Sequence, residues 1–214
     1  MYTFTDTDDN VLYLIKIGIL IIVDDYLKFA APLISRSFFL QHYGSDDRSD
    51  TTPSSLYEFI EKIFKVMCKQ SGKILRKNLG FGNNGKLLEQ TWQKEFYRIG
   101  TQVLGWKYFL SCDVGAVFGC EGFIDFYVDE LDWAIELLRD GKKYGRHSRK
   151  FESTGEYKEI IKYAKSIAII DIRSELKKVR KMKKDFIYVS YSDDYDSFKI
   201  ESLGKETVTI KFED

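Results

Sequence analysis

Two apolar runs in the middle of the chain predict strands at the centre of a sheet. Residues 122–128 and 132–138 are rich in β-branched and aromatic side chains and are apolar at nearly every position, which is typical of strands covered on both faces. Each run contains one carboxylate, Asp125 and Glu136. A buried carboxylate needs a cation or hydrogen-bond donors. Two interpretations follow: a corner that binds a hard divalent cation, or two side chains that point to solvent from an ordinary antiparallel sheet.

The apolar pattern around these runs predicts an α/β chain of the α+β type. Apolar residues recur at helical spacing in residues 53–70 and 86–104, which indicates two amphipathic helices. The glycine-rich residues 79–86 between them lack the GxxxxGK[ST] spacing of a phosphate loop and are predicted to form an ordinary loop. Further strands are predicted at residues 106–112, 114–118, 166–172, 186–191, 196–201 and 206–212, and further helices at residues 156–165 and 174–184. The strand at residues 166–172 follows a helical crossover, so we expect it to pair in parallel.

The first fifty residues are predicted to form a separate part of the chain. Residues 17–23 and 26–29 are apolar runs separated by Asp24 and Asp25, which indicates a β-hairpin, and a short helix is predicted at residues 33–43. Strand, turn, strand and helix in this order resemble the end of a winged-helix module. The polar residues 44–50 mark a boundary, so we predict a winged-helix remnant at residues 1–50 and a second domain at residues 51–214.

Charge is distributed unevenly along a chain whose formal net charge is zero. Residues 139–184 contain 16 Lys or Arg against 6 Asp or Glu, a local balance of +10. A polyanion would bind there, although two solvated lysine-rich helices would have the same composition. Within this stretch, residues 177–184 have the composition of a nuclear-import cluster or of a surface that contacts a nucleic-acid backbone.

Cysteine usage and hydropathy exclude several classes of protein. The three cysteines lack the spacing of zinc ligands, and their sparse, odd number fits a reducing compartment such as the cytosol or nucleus. The apolar residues 11–23 are too few to span a bilayer and are interrupted by Lys16. They also lack the cleavage region of a signal peptide. We therefore predict no membrane partner and no signal peptide in this chain.

The predicted order of elements resembles a known nuclease superfamily. Helix, three strands, helix and strand, with acidic residues on the first helix and on the second and third strands, resemble the restriction-endonuclease-like or PD-(D/E)XK enzymes. This resemblance implies that Asp125 and Glu136 bind Mg²⁺ or Mn²⁺ and that Glu89 completes the catalytic set. The motif lysine is missing, since Leu138 stands at its position. Its task would pass to one of four nearby lysines, namely Lys142, Lys150, Lys158 and Lys162.

A more specific resemblance covers residues 52–214. Residues 89–98, the Asp-Phe-Tyr at residues 125–127, residues 133–141, and His147 with the aromatic residues after it are similar to the C-terminal nuclease-like domain of Crinkler-type effectors. The resemblance implies a Mg²⁺-dependent DNA endonuclease in the nucleus or cytoplasm of a host cell, with a winged helix from an upstream ATPase before it. The basic connection after residue 138 would then contact phosphates through Lys142, Lys143, Arg146, His147, Arg149 and Lys150.

Two functions remain open at this point. The retained Asp125 and Glu136 favour a DNA endonuclease, because phosphodiester hydrolysis needs a metal ion held by carboxylates. Leu138 favours a catalytically inactive nuclease-fold module that binds nucleic acid or a host nuclear protein.

Overall fold

The computed structural model describes residues 9–23, 26–30, 52–77, 80–82, 86–105, 108–141, 144–179 and 181–212. The chain divides into two compact units, Met1–Arg48 and Ser49–Asp214. The helix predicted at residues 33–43 and the polar linker at residues 44–50 lie outside the described residues.

The first unit contains a helix and a hairpin. Helix α1 spans Asp9–Lys16, and strands β1 (Leu20–Val23) and β2 (Tyr26–Phe29) pair antiparallel. The predicted hairpin is confirmed. Its first strand begins at Leu20 rather than at residue 17, because the segment before it is helical and Gly18 adopts a left-handed φ of 75° that ends the helix.

The second unit is built on a seven-stranded mixed sheet. Its strands are β3 (Leu110–Val114), β4 (Ile124–Val128), β5 (Trp133–Arg139), β6 (Ser166–Ser174), β7 (Phe186–Tyr191), β8 (Ser197–Ser202) and β9 (Val208–Lys211). They lie side by side in chain order, with β5, β6 and β7 parallel and the remaining neighbours antiparallel. The parallel pairing expected for residues 166–172 is therefore confirmed.

One face of this sheet is covered by two long helices. Helices α2 (Leu56–Lys77) and α3 (Glu89–Leu104) pack their apolar stripes on alternate strand residues, including Ile135 and Leu137 of β5. The Phe96 ring of α3 stacks on Phe126 of β4 at 5.1 Å between centroids. Burial of these aromatic side chains is the main stabilising contribution, about 1.5–3 kcal/mol for each fully buried large residue.

The opposite face is covered by shorter elements, so β5 is buried at all of its positions. Helices α4 (Tyr144–Lys150) and α5 (Lys158–Tyr163) lie in the connection between β5 and β6. Ala134 packs beneath them with Tyr157 and Ile160, and Leu138 packs with Tyr188 of β7. Glu136, between Ala134 and Leu138 in the alternation of β5, therefore faces α4.

Two predicted elements are wrong. In place of strands at residues 106–112 and 114–118, the structure has the single strand β3 followed by a 3₁₀ helix at Ala116–Phe118. The chain passes close to Gly122 where it changes direction, and a Cβ at position 115 would lie 2.1 Å from the Gly122 carbonyl oxygen. This close approach is possible because residue 115 is a glycine. The basic helix predicted at residues 174–184 is also not formed, since the described residues between β6 and β7 are turns and irregular chain.

No helix in the described residues is long and apolar enough to cross a membrane.

Candidate functional site

Asp125 and Glu136 lie on neighbouring antiparallel strands. The β4–β5 ladder ends with Phe126 opposite Ile135, one residue after Asp125 and one residue before Glu136. The Glu136 charge is near enough to act on Asp125, since it contributes to the raised pKa of the Asp125 carboxyl. Beyond the last ladder pair, the Leu137 amide donates to Asp125 Oδ2 at 2.6 Å. The Asp125 carboxylate therefore replaces a backbone carbonyl as the acceptor at the end of the strand pair.

Helix α3 supplies a second donor to Asp125. Gln93 Nε2 donates to Asp125 Oδ1 at 2.8 Å. Glu89, the first residue of α3, lies one helical turn before Gln93 and is partly buried. Its negative charge acts on Asp125 and contributes to a raised pKa of that carboxyl. The start of α3 thus presents both an amide donor and a second carboxylate to the corner where β4 and β5 separate.

Burial and like charge together perturb Asp125. Burial is the main cause that raises the pKa of Asp125 from 3.8 to about 8, the Glu136 carboxylate is the second cause, and the Leu137 amide opposes both. Two neighbouring carboxylates that repel each other in a poorly solvated corner are an arrangement that a bound cation would relieve.

Glu136 is held by two basic side chains from α4. The Glu136 residue is 2% exposed. His147 Nδ1 lies 2.7 Å from Glu136 Oε1, and Lys150 Nζ lies 3.4 Å from the same oxygen. His147 and Lys150 are three residues apart on α4, so one face of this helix presents both to the carboxylate.

The hydroxyl of Tyr157 joins these groups to the backbone before β4. It donates to the Phe123 carbonyl at 2.6 Å and accepts from Lys150 Nζ at 2.8 Å. It also lies 3.1 Å from Glu136 Oε2. Burial, followed by the nearby Glu136 charge, raises the pKa of Tyr157 far above its ordinary value of 10. The hydroxyl therefore keeps its proton and remains a donor.

Among the lysines proposed to replace the motif lysine, Lys150 is the one in the described part of the chain that contacts Glu136. Lys162 instead pairs with Glu159 at 2.6 Å on the surface of α5, and Lys158 is exposed. Lys142 lies outside the described residues. The motif position itself has no room for a charge, because Leu138 is 1% exposed and packs in the core.

The other residues of the basic connection lie in different surroundings. Lys143, like Lys142, lies outside the described residues, as does the side chain of Arg146. Arg149 is exposed, and its Nε donates to the Gly145 carbonyl at 3.1 Å. Arg149 is therefore the described side chain of this segment that remains available to solvent ligands, whereas His147 and Lys150 are turned toward Glu136.

Two members of the site were not identified from the sequence. Gln93 stands four residues after Glu89, so a search for polar partners on the same helix face would have found it. Tyr157 lies at the start of the helix predicted at residues 156–165, where its ring would count only as an apolar, inward side chain. A buried tyrosine needs a partner for its hydroxyl, and that requirement was the available indication. Glu95, the other carboxylate of α3, is paired with Arg98 at 2.9 Å.

Within this corner, the Asp125 carboxylate has capacity for a cation that needs few protein ligands. No group of three or more His, Cys, Asp or Glu side chains in the described residues is arranged to hold a metal ion. Mg²⁺ retains several waters and is commonly bound through one or two carboxylates. A carboxylate has about four lone-pair sites, and Asp125 has two protein donors, which leaves acceptor capacity for an ion.

Comparison with known proteins assigns no relative to this chain. No protein-family model matches it, and no match is found among the curated proteins or the solved structures with which it was compared.

Proposed function

We propose that the unit Ser49–Asp214 is a metal-dependent endonuclease of the restriction-endonuclease-like type that hydrolyses DNA phosphodiester bonds. The observation that carries this proposal is the position of Lys150. Its Nζ lies 3.4 Å from Glu136 Oε1, beside the strand pair that holds Asp125. In this proposal Lys150 supplies the cation that Leu138 cannot, and Asp125, Glu136 and Lys150 act together as the Asp, Glu and Lys set.

Asp125 and Glu136 would hold the ion, Mg²⁺ or Mn²⁺, with Glu89 near enough to act electrostatically on Asp125. The ion would supply an activated water and neutralise the charge that develops on the phosphate oxygens. Gln93 and the Leu137 amide fix the orientation of the Asp125 carboxylate. That preorganisation favours catalysis because no rearrangement is needed during the reaction.

Lys150 and Tyr157 have complementary tasks in this proposal. The Lys150 side chain lies against Glu136 and is only 15% exposed, so in this proposal its ammonium group acts from within the corner on a phosphate oxygen or on the attacking water. Tyr157 accepts from Lys150 Nζ and is itself fixed to the Phe123 carbonyl. The hydroxyl therefore holds the amine beside Glu136 and restricts its motion.

The wider setting follows from the resemblance to Crinkler-type effectors. We propose that the protein acts on DNA in the nucleus or cytoplasm of a host cell, and that the exposed basic side chains after β5 position the nucleic-acid backbone. The local balance of +10 in residues 139–184 supports a polyanionic substrate.

A matched pair of lysine variants tests the proposal. Purified protein should nick supercoiled plasmid with Mg²⁺ or Mn²⁺, and Asp125→Asn and Glu136→Gln should each abolish nicking. Lys150→Met should lower the rate by at least about 100-fold because it removes a catalytic group. Lys162→Met removes the same charge from the surface and should leave the rate unchanged. Wild-type protein that cuts nothing with either ion, or a Lys150→Met variant that cuts as well as Lys162→Met, would contradict the assignment.

One observation favours a second candidate, a catalytically inactive module that binds nucleic acid or a host nuclear protein. The Glu136 carboxylate already has three side-chain partners, His147, Lys150 and Tyr157, and such a network stabilises a fold without any ion. In that case Glu136→Gln and Lys150→Met would lower the free energy of unfolding, nucleic acid or protein would still bind, and no divalent ion would produce cleavage.

A further inference from the structure

An aromatic ring is exposed next to the proposed catalytic corner. Phe123 is 57% exposed, whereas Ile124, the next residue, is fully buried. Phe123 lies two residues before Asp125 and immediately before β4 begins. Val117, in the same β3–β4 connection, is 82% exposed. Two apolar side chains are therefore exposed in the connection that leads into β4, close along the chain to the charged corner.

The backbone beneath this ring is fixed rather than loose. The Phe123 carbonyl accepts the 2.6 Å hydrogen bond from Tyr157, whose hydroxyl also contacts Lys150 and Glu136. On the other side, Gly122 is packed so tightly against Gly115 that a Cβ on Gly115 would lie 2.1 Å from the Gly122 oxygen. The ring is thus attached to the same hydrogen-bonded group that positions the catalytic side chains.

The location of the ring limits what it can contact. Single exposed apolar residues are common and need no explanation, but Phe123 is anchored through Tyr157 to the residues that are proposed to act on a phosphodiester. A flat apolar ring beside a nucleic-acid backbone offers a stacking face for a base. In a continuous duplex the faces of the bases are covered by their neighbours, so stacking requires a base that is unpaired or displaced.

We propose that Phe123 stacks on an unpaired nucleobase next to the phosphodiester bond held at Asp125 and Glu136. This inference rests on the proposed nuclease function and specifies its substrate class: single-stranded nucleic acid, or duplex with a frayed, mismatched or displaced base. Phe123 makes the substrate contact, and Tyr157 is the positioning residue that holds the Phe123 backbone in place.

Binding measured without catalysis tests this assignment. A single strand that carries 2-aminopurine is titrated with the full chain in metal-free buffer with a chelator, and the affinity and the fluorescence of the base are recorded. Phe123→Leu keeps apolar bulk without the ring and should lose about 5- to 150-fold in affinity for the single strand. Phe123→Trp should bind at least as tightly as the wild type and quench the base more strongly. Phe212→Leu is the matched control, because Phe212 is 42% exposed and follows β9 at the far edge of the sheet.

Each outcome decides a different point. Loss of single-strand affinity in Phe123→Leu, with fully paired duplex and Phe212→Leu unaffected, supports the assignment. If the wild type binds and Phe123→Leu binds with the same affinity, the stacking role is overturned. The same holds if Phe123→Leu loses equal affinity for duplex and for single strand. Neither result bears on the proposed function. Wild-type protein that binds neither nucleic acid at low salt overturns the proposed function together with this inference. The melting temperature of Phe123→Leu is recorded beside the wild type, so that a loss of folding is recognised.

Discussion

At the scale of single residues, the ionisation of Asp125 makes the stability of the fold depend on pH. Its pKa is raised from 3.8 to about 8 by burial and by the Glu136 carboxylate. The folded protein therefore retains a proton that the unfolded chain releases above about pH 4. The stability that Asp125 contributes is complete below pH 3.8 and is lost as the pH rises through about 8.

Asp125→Asn removes this dependence because the amide does not titrate. In metal-free protein, the free energy of unfolding of the variant should increase relative to the wild type as the pH rises from about 5 to 8. The difference has a maximum slope of about 1.4 kcal/mol per pH unit. Urea unfolding followed by circular dichroism at several pH values measures this difference. Parallel curves for the two proteins over that range would show that Asp125 is ionised in the folded state.

The residues of the site differ in how well the sequence identifies them. Asp125 and Glu136 were identified because a carboxylate inside an apolar strand is costly without a partner, and in the structure the Glu136 charge acts on Asp125. Lys150 was one of four candidate lysines, and spacing along the chain does not reveal which of their side chains reaches Glu136. Gln93 and Tyr157 carry no charge, so their role depends on contacts between elements that only the folded chain makes.

At the scale of elements, the Tyr157 hydroxyl connects the start of α5 to α4, to β5 and to the chain before β4. Tyr157→Phe keeps the buried ring and deletes this connection. It leaves the Phe123 carbonyl without its donor, which costs about 1–3 kcal/mol of stability. If the proposed function holds, Lys150 also loses a fixed partner, and the cleavage rate should fall while affinity for fully paired duplex, on which Phe123 does not stack, stays within about twofold of the wild type.

Chemical denaturation and single-turnover cleavage measure these two effects of Tyr157→Phe separately. Ile160→Val is the control, because it perturbs the same buried cluster without touching a polar group. A stability loss with an unchanged cleavage rate would limit Tyr157 to a structural role.

Most of the elements were predictable because burial imposes a period on the sequence. The apolar runs of β4 and β5 and the helical spacing of α2 and α3 reflect the layers that cover the sheet. The segment at residues 174–184 has helix-forming residues but few apolar ones, and Leu176 within it is 78% exposed. Neighbouring lysines also repel one another on a helix. Propensity alone therefore predicted a helix, whereas Val179 and Met182 pack against the core from turns and irregular chain.

Helix α4 shows the opposite case. The sequence predicts a basic connection at residues 139–150, and residues 144–150 within it carry no apolar stripe. The helix instead presents His147 and Lys150 to Glu136, so its packing face is polar. A periodicity search that counts only apolar residues does not detect such a helix.

At the scale of the whole molecule, zero net charge hides a separation of charge along the chain. Several lysines between β6 and β7 are exposed, among them Lys178, Lys181 and Lys184. They belong to the stretch with the local balance of +10, whereas residues 185–214 contain 3 basic against 8 acidic residues. Such a distribution attracts a polyanion to one part of the surface although the overall field is weak.

The dependence of binding on salt tests whether this basic stretch contacts phosphates. Affinity for nucleic acid should fall linearly on a plot of log K against log salt, because each neutralised phosphate releases a counterion. Replacing Lys178, Lys181 and Lys184 together by Gln should reduce the slope by about 0.9 for each phosphate that is no longer neutralised on duplex, or about 0.7 on a single strand.

The control replaces three exposed lysines outside the stretch, Lys65, Lys199 and Lys211, and changes the net charge by the same amount. If both triple variants reduce the slope equally, net charge rather than this surface determines binding. If the control keeps the wild-type slope and the basic-stretch variant does not, the lysines between β6 and β7 contact the backbone of the bound strand.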